Sequence, residues 1–237
     1  MIRRILFFGL MSLMFVSVAK ASTSKAVFAF TYAPYQLGDV ELQTNNGNQI
    51  STQTGWYNSS GFHGASNPDY IVGLCGSSDS CNGGDTVTNN FLVFSVPAGQ
   101  YTSATISAYL PNPGLITPGT SAFYCACSSL TYQLWDVSTP IGELVASQSG
   151  RTDIYNDLGS GVLFGSVVIT PGEQGTQILI SLNAAGLASV NAAAGNEWAV
   201  GGSIFGAETT TPEPGTITML LSGLGAGFGV LRRRKLI

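Results

Sequence analysis

Basic residues are almost absent from the central part of this chain. Of the nine lysine and arginine residues in the 237-residue sequence, only Lys25 and Arg151 lie outside the two ends. All thirteen acidic residues lie in the central part, which therefore carries a net charge of −11. A surface of this charge repels nucleic acid and anionic lipid. The composition argues against a nucleic-acid-binding domain.

Groups for nucleophilic catalysis are equally scarce. The sequence has one histidine, His63, and no Gly-x-Ser-x-Gly motif. A serine or cysteine nucleophile therefore lacks the partner base that such triads require. Glycoside hydrolysis needs only two carboxyl groups, but nothing in the spacing of the thirteen acids distinguishes a pair. We expect a protein that is not an enzyme and has no catalytic or cofactor-binding residue, with an extracellular hydrolase as an alternative.

No hydrophobic run reaches the length of about 20 residues that a membrane-spanning helix usually needs. The first run, residues 5–18, has 14 residues and follows Arg3 and Arg4. Small residues, Ala19 and Ala21, come directly after it. This order is typical of a signal peptide, so we predict cleavage by signal peptidase after Ala21.

The second run, residues 217–231, has 15 residues and precedes a basic cluster of Arg232, Arg233, Arg234 and Lys235. As a helix it would be about 22 Å long, against a hydrocarbon core of about 30 Å. Because arginines can extend towards the interface, we predict a transient membrane anchor. The predicted organisation is a signal peptide (1–21), an ectodomain (22–206), a linker (207–215), and a C-terminal transmembrane helix with its basic tail (216–237).

The ectodomain has the composition of an all-β protein, with few charges and many glycine, serine, threonine and asparagine residues. Residues 102–110 show the period of two that is typical of a half-buried strand, and we predict residues 91–96 as their hairpin partner. One short helix is predicted between Asn183, its cap, and Gly195. Further strands are predicted at 26–32, 39–44, 49–57, 130–137, 143–147, 162–170, 177–182 and 197–205. This pattern predicts a two-sheet antiparallel β-sandwich, jelly-roll-like, with a β-barrel as the alternative.

Four cysteines occur in two close pairs, Cys75 with Cys81 and Cys125 with Cys127. Because exported proteins are in an oxidising environment, we expect these cysteines to form disulfides. Four cysteines allow three pairings. Pairing within each pair would force a bridge between Cys125 and Cys127 across one residue, which is strained. We favour bridges between the two pairs, with both local bridges as the alternative. A zinc site is disfavoured because the usual two-residue spacers are absent.

Two acidic segments could in principle supply metal ligands. Asp79, Asn82 and Asp85 offer oxygen ligands on a glycine-rich loop, but their spacing does not match an EF-hand. Calcium therefore stays a hypothesis, and we predict a polar surface loop with no assigned metal ligand. Asp153 and Asp157 are interpreted as turn and capping residues.

Aromatic residues near loop-like sequence suggest a second function. Sandwich domains can bind glycans through exposed rings, which combine an apolar face with a polar edge. The candidate glycan-contact residues are Trp56, Tyr57, Phe62 and Tyr70. The competing interpretation is that these rings pack in the core. A carbohydrate-binding module is thus an alternative function.

The C-terminus resembles a PEP-CTERM sorting signal. Pro212, Glu213 and Pro214 precede the short apolar run and the basic cluster, in the order typical of that family. Prolines hold this motif extended, and the basic cluster places it just outside the membrane. The body also resembles β-sandwich domains of such proteins at residues 132–139, 154–166 and 182–202.

The resemblance implies a route and a set of partners. Members of the family carry a signal peptide and are processed by exosortase, a membrane-embedded cysteine transpeptidase-like enzyme of Gram-negative bacteria that make exopolysaccharide. We therefore expect a membrane-anchored precursor that becomes a cell-surface or matrix protein. Signal peptidase and exosortase are the expected processing enzymes, and exopolysaccharide is the expected contact.

Overall fold

The computed structural model describes residues 25–27, 40–75, 86–110, 123–124 and 129–205. All of them belong to a compact unit that spans Thr23–Thr209. None of the helices in these ranges is long and apolar enough to cross a membrane. The predicted signal peptide and the predicted C-terminal transmembrane helix lie outside the described residues.

The described part of the chain is mostly β-structure, which confirms the predicted class. The strands are β1 (Lys25–Val27), β2 (Val40–Thr44), β3 (Gly47–Asn58), β4 (Val72–Cys75), β5 (Thr86–Ser95), β6 (Ala104–Leu110), β7 (Phe123–Tyr124), β8 (Leu130–Trp135), β9 (Leu163–Ile169), β10 (Thr176–Ser181) and β11 (Glu197–Ile204). Three short helices accompany them: α1 (Ile141–Leu144), α2 (Thr152–Asp157) and α3 (Ala184–Ala192). A 3₁₀ turn, Pro171–Glu173, connects β9 to β10.

The strands form one antiparallel sheet that curls until its ends almost meet. Its main path runs β10-β6-β2-β3-β5-β11-β8-β9, and β4, β1 and β7 continue from β5. The first part of β3 pairs with β2 and its second part with β5, across a bulge between Ser51 and Gln53. At the opposite side, the Asn183 backbone N–H donates to the Phe164 carbonyl at 2.7 Å. This bond joins the end of β10 to β9, so the sheet is a nearly closed barrel.

The interior of the curled sheet holds the main core. Ala104, Ile106, Ala108 and Leu110 of β6 all face it, as their alternation predicts. The Trp198 ring lies between Phe94 and Phe164, at centroid distances of 6.0 and 6.2 Å. These contacts join β11, β5 and β9 across the interior.

Helix α3 follows its local sequence signals. The Asn183 side chain accepts hydrogen bonds from the backbone N–H groups of Ala185 and Gly186 at 2.9 and 3.0 Å, as predicted for the cap. Gly195 has a φ of +87°, which confirms the predicted left-handed end.

The predicted hairpin between residues 91–96 and 102–110 is wrong. Strand β5 pairs with β3, β4 and β11, whereas β6 pairs with β2 and β10. The connection after β5 is held by distant residues: the Asn191 side chain bonds both the N–H and the carbonyl of Tyr101, at 2.8 and 2.9 Å. Because Asn191 is remote in sequence, a local turn pattern could not indicate this crossing.

The strand predicted at residues 143–147 and the expectation of a single helix are also wrong. The first two residues of that segment, Glu143 and Leu144, are the last two residues of α1, and their N–H groups donate to the Pro140 carbonyl. Helix α2 was not predicted. Both helices are too short to show an apolar period, and packing against the sheet stabilises them.

Candidate functional site

Residues 137–161 form a layer over the outer face of β3, β5 and β11, which we call the helical layer. Leu144 of α1, Ile154 of α2 and Leu158 are fully buried against strand residues. The strand residues in this second core are Tyr57, Phe91 and Val93, and the two on β5 alternate with Leu92 and Phe94 of the main core. The helical layer therefore covers this part of the sheet on its second face.

His63, the chain's one histidine, lies beneath the helical layer and is 2% exposed. Its ring stacks on Tyr57 at 4.8 Å and meets Phe91 edge-on at 5.3 Å. The Nδ1 atom is 2.9 Å from the carbonyl oxygen of Trp56. Burial lowers the pKa of His63, against the opposing effect of backbone hydrogen bonds to Trp56 and Val145. The imidazole is therefore held neutral within a packed aromatic cluster.

The His63 backbone also joins two segments. Its N–H and carbonyl exchange hydrogen bonds with Gln148, both at 3.0 Å. The same two segments are joined again where the Arg151 N–H donates to the Gly61 carbonyl at 3.1 Å. Gly61 has a φ of +78°, and a side chain there would overlap the backbone of Arg151 and Thr152. The loop 59–64 and the helical layer thus form one packed unit.

Tyr57 is positioned as a hydrogen-bond donor. Its hydroxyl donates to the Leu144 carbonyl at 3.0 Å. Burial raises the pKa of Tyr57 to about 12, so the hydroxyl keeps its proton at neutral pH. The ring therefore anchors α1 to β3.

Arg151 is the one basic residue among those whose side chains the structure describes. Its Nε donates to Asp153 Oδ1 at 2.9 Å and its guanidinium also pairs with Asp153 Oδ2 at 2.8 Å. A further contact reaches Glu143 Oε2 at 3.2 Å. The hydrogen bond from Arg151 lowers the pKa of Asp153. This cluster ties α1 to α2 at the surface.

Asp157 organises the start of the helical layer. Its carboxylate accepts hydrogen bonds from the backbone N–H and the hydroxyl of both Ser138 and Thr139, at 2.7–3.3 Å. Charge-assisted bonds of this kind are the stronger ones in proteins. The contacts agree with the prediction that Asp157 is a turn residue.

The structure corrects the predicted glycan-contact residues. Trp56 is 3% exposed and Tyr57 and Tyr70 are fully buried, so these three rings cannot stack on a sugar. Phe62 is half-buried and lies 6.3 Å from Trp56. The physical reason for two of these rings is packing: Tyr70 belongs to the main core, and Tyr57 belongs to the second core under the helical layer.

Most other predicted site residues lie outside the described residues. These are Ala19, Ala21, Cys81, Cys125, Cys127, Asp79, Asn82, Asp85, the sorting motif Pro212, Glu213 and Pro214, and the basic cluster Arg232, Arg233, Arg234 and Lys235. The backbone of Cys75 ends β4 and pairs with Thr86. The cysteine pairing and calcium binding stay predictions. In the described ranges, no three acidic, histidine or cysteine side chains form a metal-binding group.

We expect His63 to make stability fall in mild acid. The unfolded chain binds a proton at the ordinary histidine pKa near 6.5, and the folded chain at a lower pKa. Between these values the unfolded state binds more protons, so the free energy of unfolding decreases as pH falls below about 6.5. Asp69 acts oppositely, because burial raises its pKa to about 6 and favours the folded state as pH falls through that value.

The measurement is urea unfolding of wild type and His63→Gln at about pH 7.5 and about pH 5. Wild type should lose stability relative to the variant on acidification, since the variant retains Asp69 but not the imidazole. A difference between the two proteins that does not change with pH would contradict this role for His63.

Comparison with known proteins identifies the C-terminus. The family described as the PEP-CTERM protein-sorting motif matches residues 210–235. This range contains Pro212, Glu213 and Pro214 and the basic cluster, so the predicted resemblance is confirmed. No curated protein matches the chain. The chain therefore carries a PEP-CTERM protein-sorting motif at its C-terminus, and this motif implies export and exosortase-type processing.

Proposed function

We propose that this chain is an exported protein of the cell surface or exopolysaccharide matrix with a structural or interaction role and no catalytic activity. The sorting motif at residues 210–235 is the observation that carries the proposal. In this proposal signal peptidase cleaves after Ala21, the C-terminal run is a transient membrane anchor, and exosortase acts at the motif. In this proposal the curled sheet of the mature body is a jelly-roll-like sandwich, whose two halves share β3.

The state of the reactive side chains supports a non-catalytic role. His63 is buried and neutral, and Tyr57 uses its hydroxyl to hold α1. The carboxylates of Asp153 and Asp157 are occupied by Arg151 and by the Ser138–Thr139 turn. Each of these groups has a packing function that accounts for its position. An extracellular hydrolase is the less favoured alternative.

Replacement of the motif should abolish processing. In the producing bacterium we expect Pro212→Ala, Glu213→Ala and Pro214→Ala together to remove the processed extracellular form and leave a cell-associated precursor, because the extended recognition segment is lost. Cell fractionation with mass spectrometry of the C-terminal peptide measures this. Thr209→Ala, just before the matched range, is the control.

The same measurement can refute the proposal. Extracellular protein from wild-type cells should lack residues 232–237. A secreted peptide that retains these residues, or unchanged secretion of the triple variant, would contradict sorting through this signal.

A further inference from the structure

One outward face of the sheet has no ionisable side chain. It comprises three rows across β11, β8 and β9, which we call the uncharged face. Each row is set by the strand register. The rows are Phe205, Thr131 and Val168; Ser203, Gln133 and Ser166; and Gly201, Trp135 and Leu163. In a chain whose central part has a net charge of −11, the uncharged face is a distinct surface.

Apolar groups on this face are exposed. Phe205 is 72% exposed and Val168 is 56% exposed, in the same row. Trp135 is half-buried, and its Nε1 donates to Ser203 Oγ at 2.8 Å. This bond holds the indole in one orientation on the sheet. Four strand positions separate the backbone rows of Trp135 and Phe205, which is about 13 Å along the strands, and the indole extends from its row towards Phe205 as far as Ser203.

Polar groups between the rings are available to a ligand. The amide of Gln133 and the hydroxyl of Ser166 make no hydrogen bond to another described residue, and Ser166 is exposed. At the Trp135 end, the face is bounded by the helical layer: a Cβ on Gly201 would lie 2.6 Å from the Leu158 carbonyl oxygen. The face therefore combines two aromatic rings, an amide and hydroxyls on one side of the sheet, and the helical layer closes one of its ends.

We propose that the uncharged face binds a neutral polysaccharide. Sugar rings present C–H groups that pack on aromatic side chains and hydroxyls that bond to amides and hydroxyls. An anionic polymer or anionic membrane would meet repulsion from the surrounding acidic body. A second copy of the chain is disfavoured, since nine positions fall well below the roughly 20–30 residues that each side of a stable interface contributes. The proposal rests on the interaction role proposed above.

The test uses the full chain in a zwitterionic detergent without a sugar headgroup. Trp56 and Trp198 are 3% and 5% exposed, so acrylamide quenching of the three tryptophans reports mainly on Trp135. The probes are three neutral polysaccharides (hydroxyethyl cellulose, dextran and galactomannan), the anionic polymer alginate, and anionic lipid vesicles. We expect at least one neutral polymer to protect Trp135 from quenching, with saturation.

Variants locate the binding by affinity electrophoresis in gels containing the bound polymer. Trp135→Ala should weaken binding about tenfold, which corresponds to the loss of about 1.4 kcal/mol from one aromatic contact. Phe205→Ala and Val168→Ala should weaken it without disturbing the fold, since both residues are exposed. Leu179→Ala is the matched control: Leu179 is also 56% exposed but lies on β10 beside Ser107.

Each result decides the proposal. Binding that falls in the three face variants and not in Leu179→Ala supports it. Absence of binding to all three neutral polymers overturns the proposal, and so does equal binding by all variants. Binding to alginate or vesicles only, or self-association that covers Trp135, also overturns it. Secretion and C-terminal processing of the same variants, measured in cells, show separately whether the sorting role holds.

Discussion

Gly202→Ala is expected to lower the free energy of unfolding by about 4 kcal/mol, the sum of overpacking and a lost buried hydrogen bond. A Cβ at this position would lie only 2.1 Å from the Tyr132 hydroxyl oxygen and 2.2 Å from Asn90 Oδ1. Tyr132 is 1% exposed and Asn90 is fully buried, so neither can move towards solvent. The added methyl group must therefore separate two core strands.

Because Gly202 has no side chain, a series of buried hydrogen bonds fits beside it. The Tyr132 hydroxyl donates to Asn90 Oδ1 at 2.9 Å, and the Asn90 amide donates to the Tyr70 carbonyl at 2.7 Å. Burial raises the pKa of Tyr132 well above its usual range, so it donates as a neutral hydroxyl. Displacement of either group leaves a desolvated polar atom without its partner, which adds to the steric cost.

Urea unfolding of Gly202→Ala and Gly142→Ala measures the effect. Gly142 lies in α1, and a Cβ there meets nothing within 4 Å, so this control should retain or slightly gain stability. The double variant with Tyr132→Phe should be less destabilised than the two single changes predict, because the hydroxyl that collides is gone. Additive effects, or a Gly202→Ala protein as stable as wild type, would contradict this description of the core.

Asp157→Ala is expected to cost about 2–4 kcal/mol, since several hydrogen bonds to a charged group are lost together. The backbone N–H groups of Ser138 and Thr139 would lose their acceptor, and the entry into the helical layer would open. We expect amide hydrogen exchange of Ser138 and Thr139 to accelerate, with a lower urea midpoint.

Asp153→Ala provides the comparison within the same helix. Its carboxylate pairs with Arg151 at the surface, where solvent screens the interaction. This variant should change stability much less and leave the Ser138 and Thr139 amides protected. If both variants behave alike, or if the amides stay protected in Asp157→Ala, the carboxylate is not what holds the turn.

Local patterns predicted a large part of the fold. The alternation in β6, the Asn183 cap and the glycine end of α3 are confirmed, because each depends on residues within one element. The partners of β5 were not predicted, since strand pairing depends on contacts far apart in sequence, as with Asn191 and Tyr101. In β8, every second residue is less buried, and this alternation places Thr131, Gln133 and Trp135 on one side of the sheet. This alternation is the sequence feature that could have indicated the uncharged face.

Sequence alone determined the β class, the acidic character of the body and the sorting motif, because composition and short ordered motifs do not depend on folding. Only the tertiary structure decided which aromatic rings reach solvent. The helical layer buries Tyr57 from the second side of the sheet, whereas nothing in the described residues covers Phe205. Burial depends on which distant segment packs over a strand, and a strand with two covered faces has the same local pattern as a strand with one.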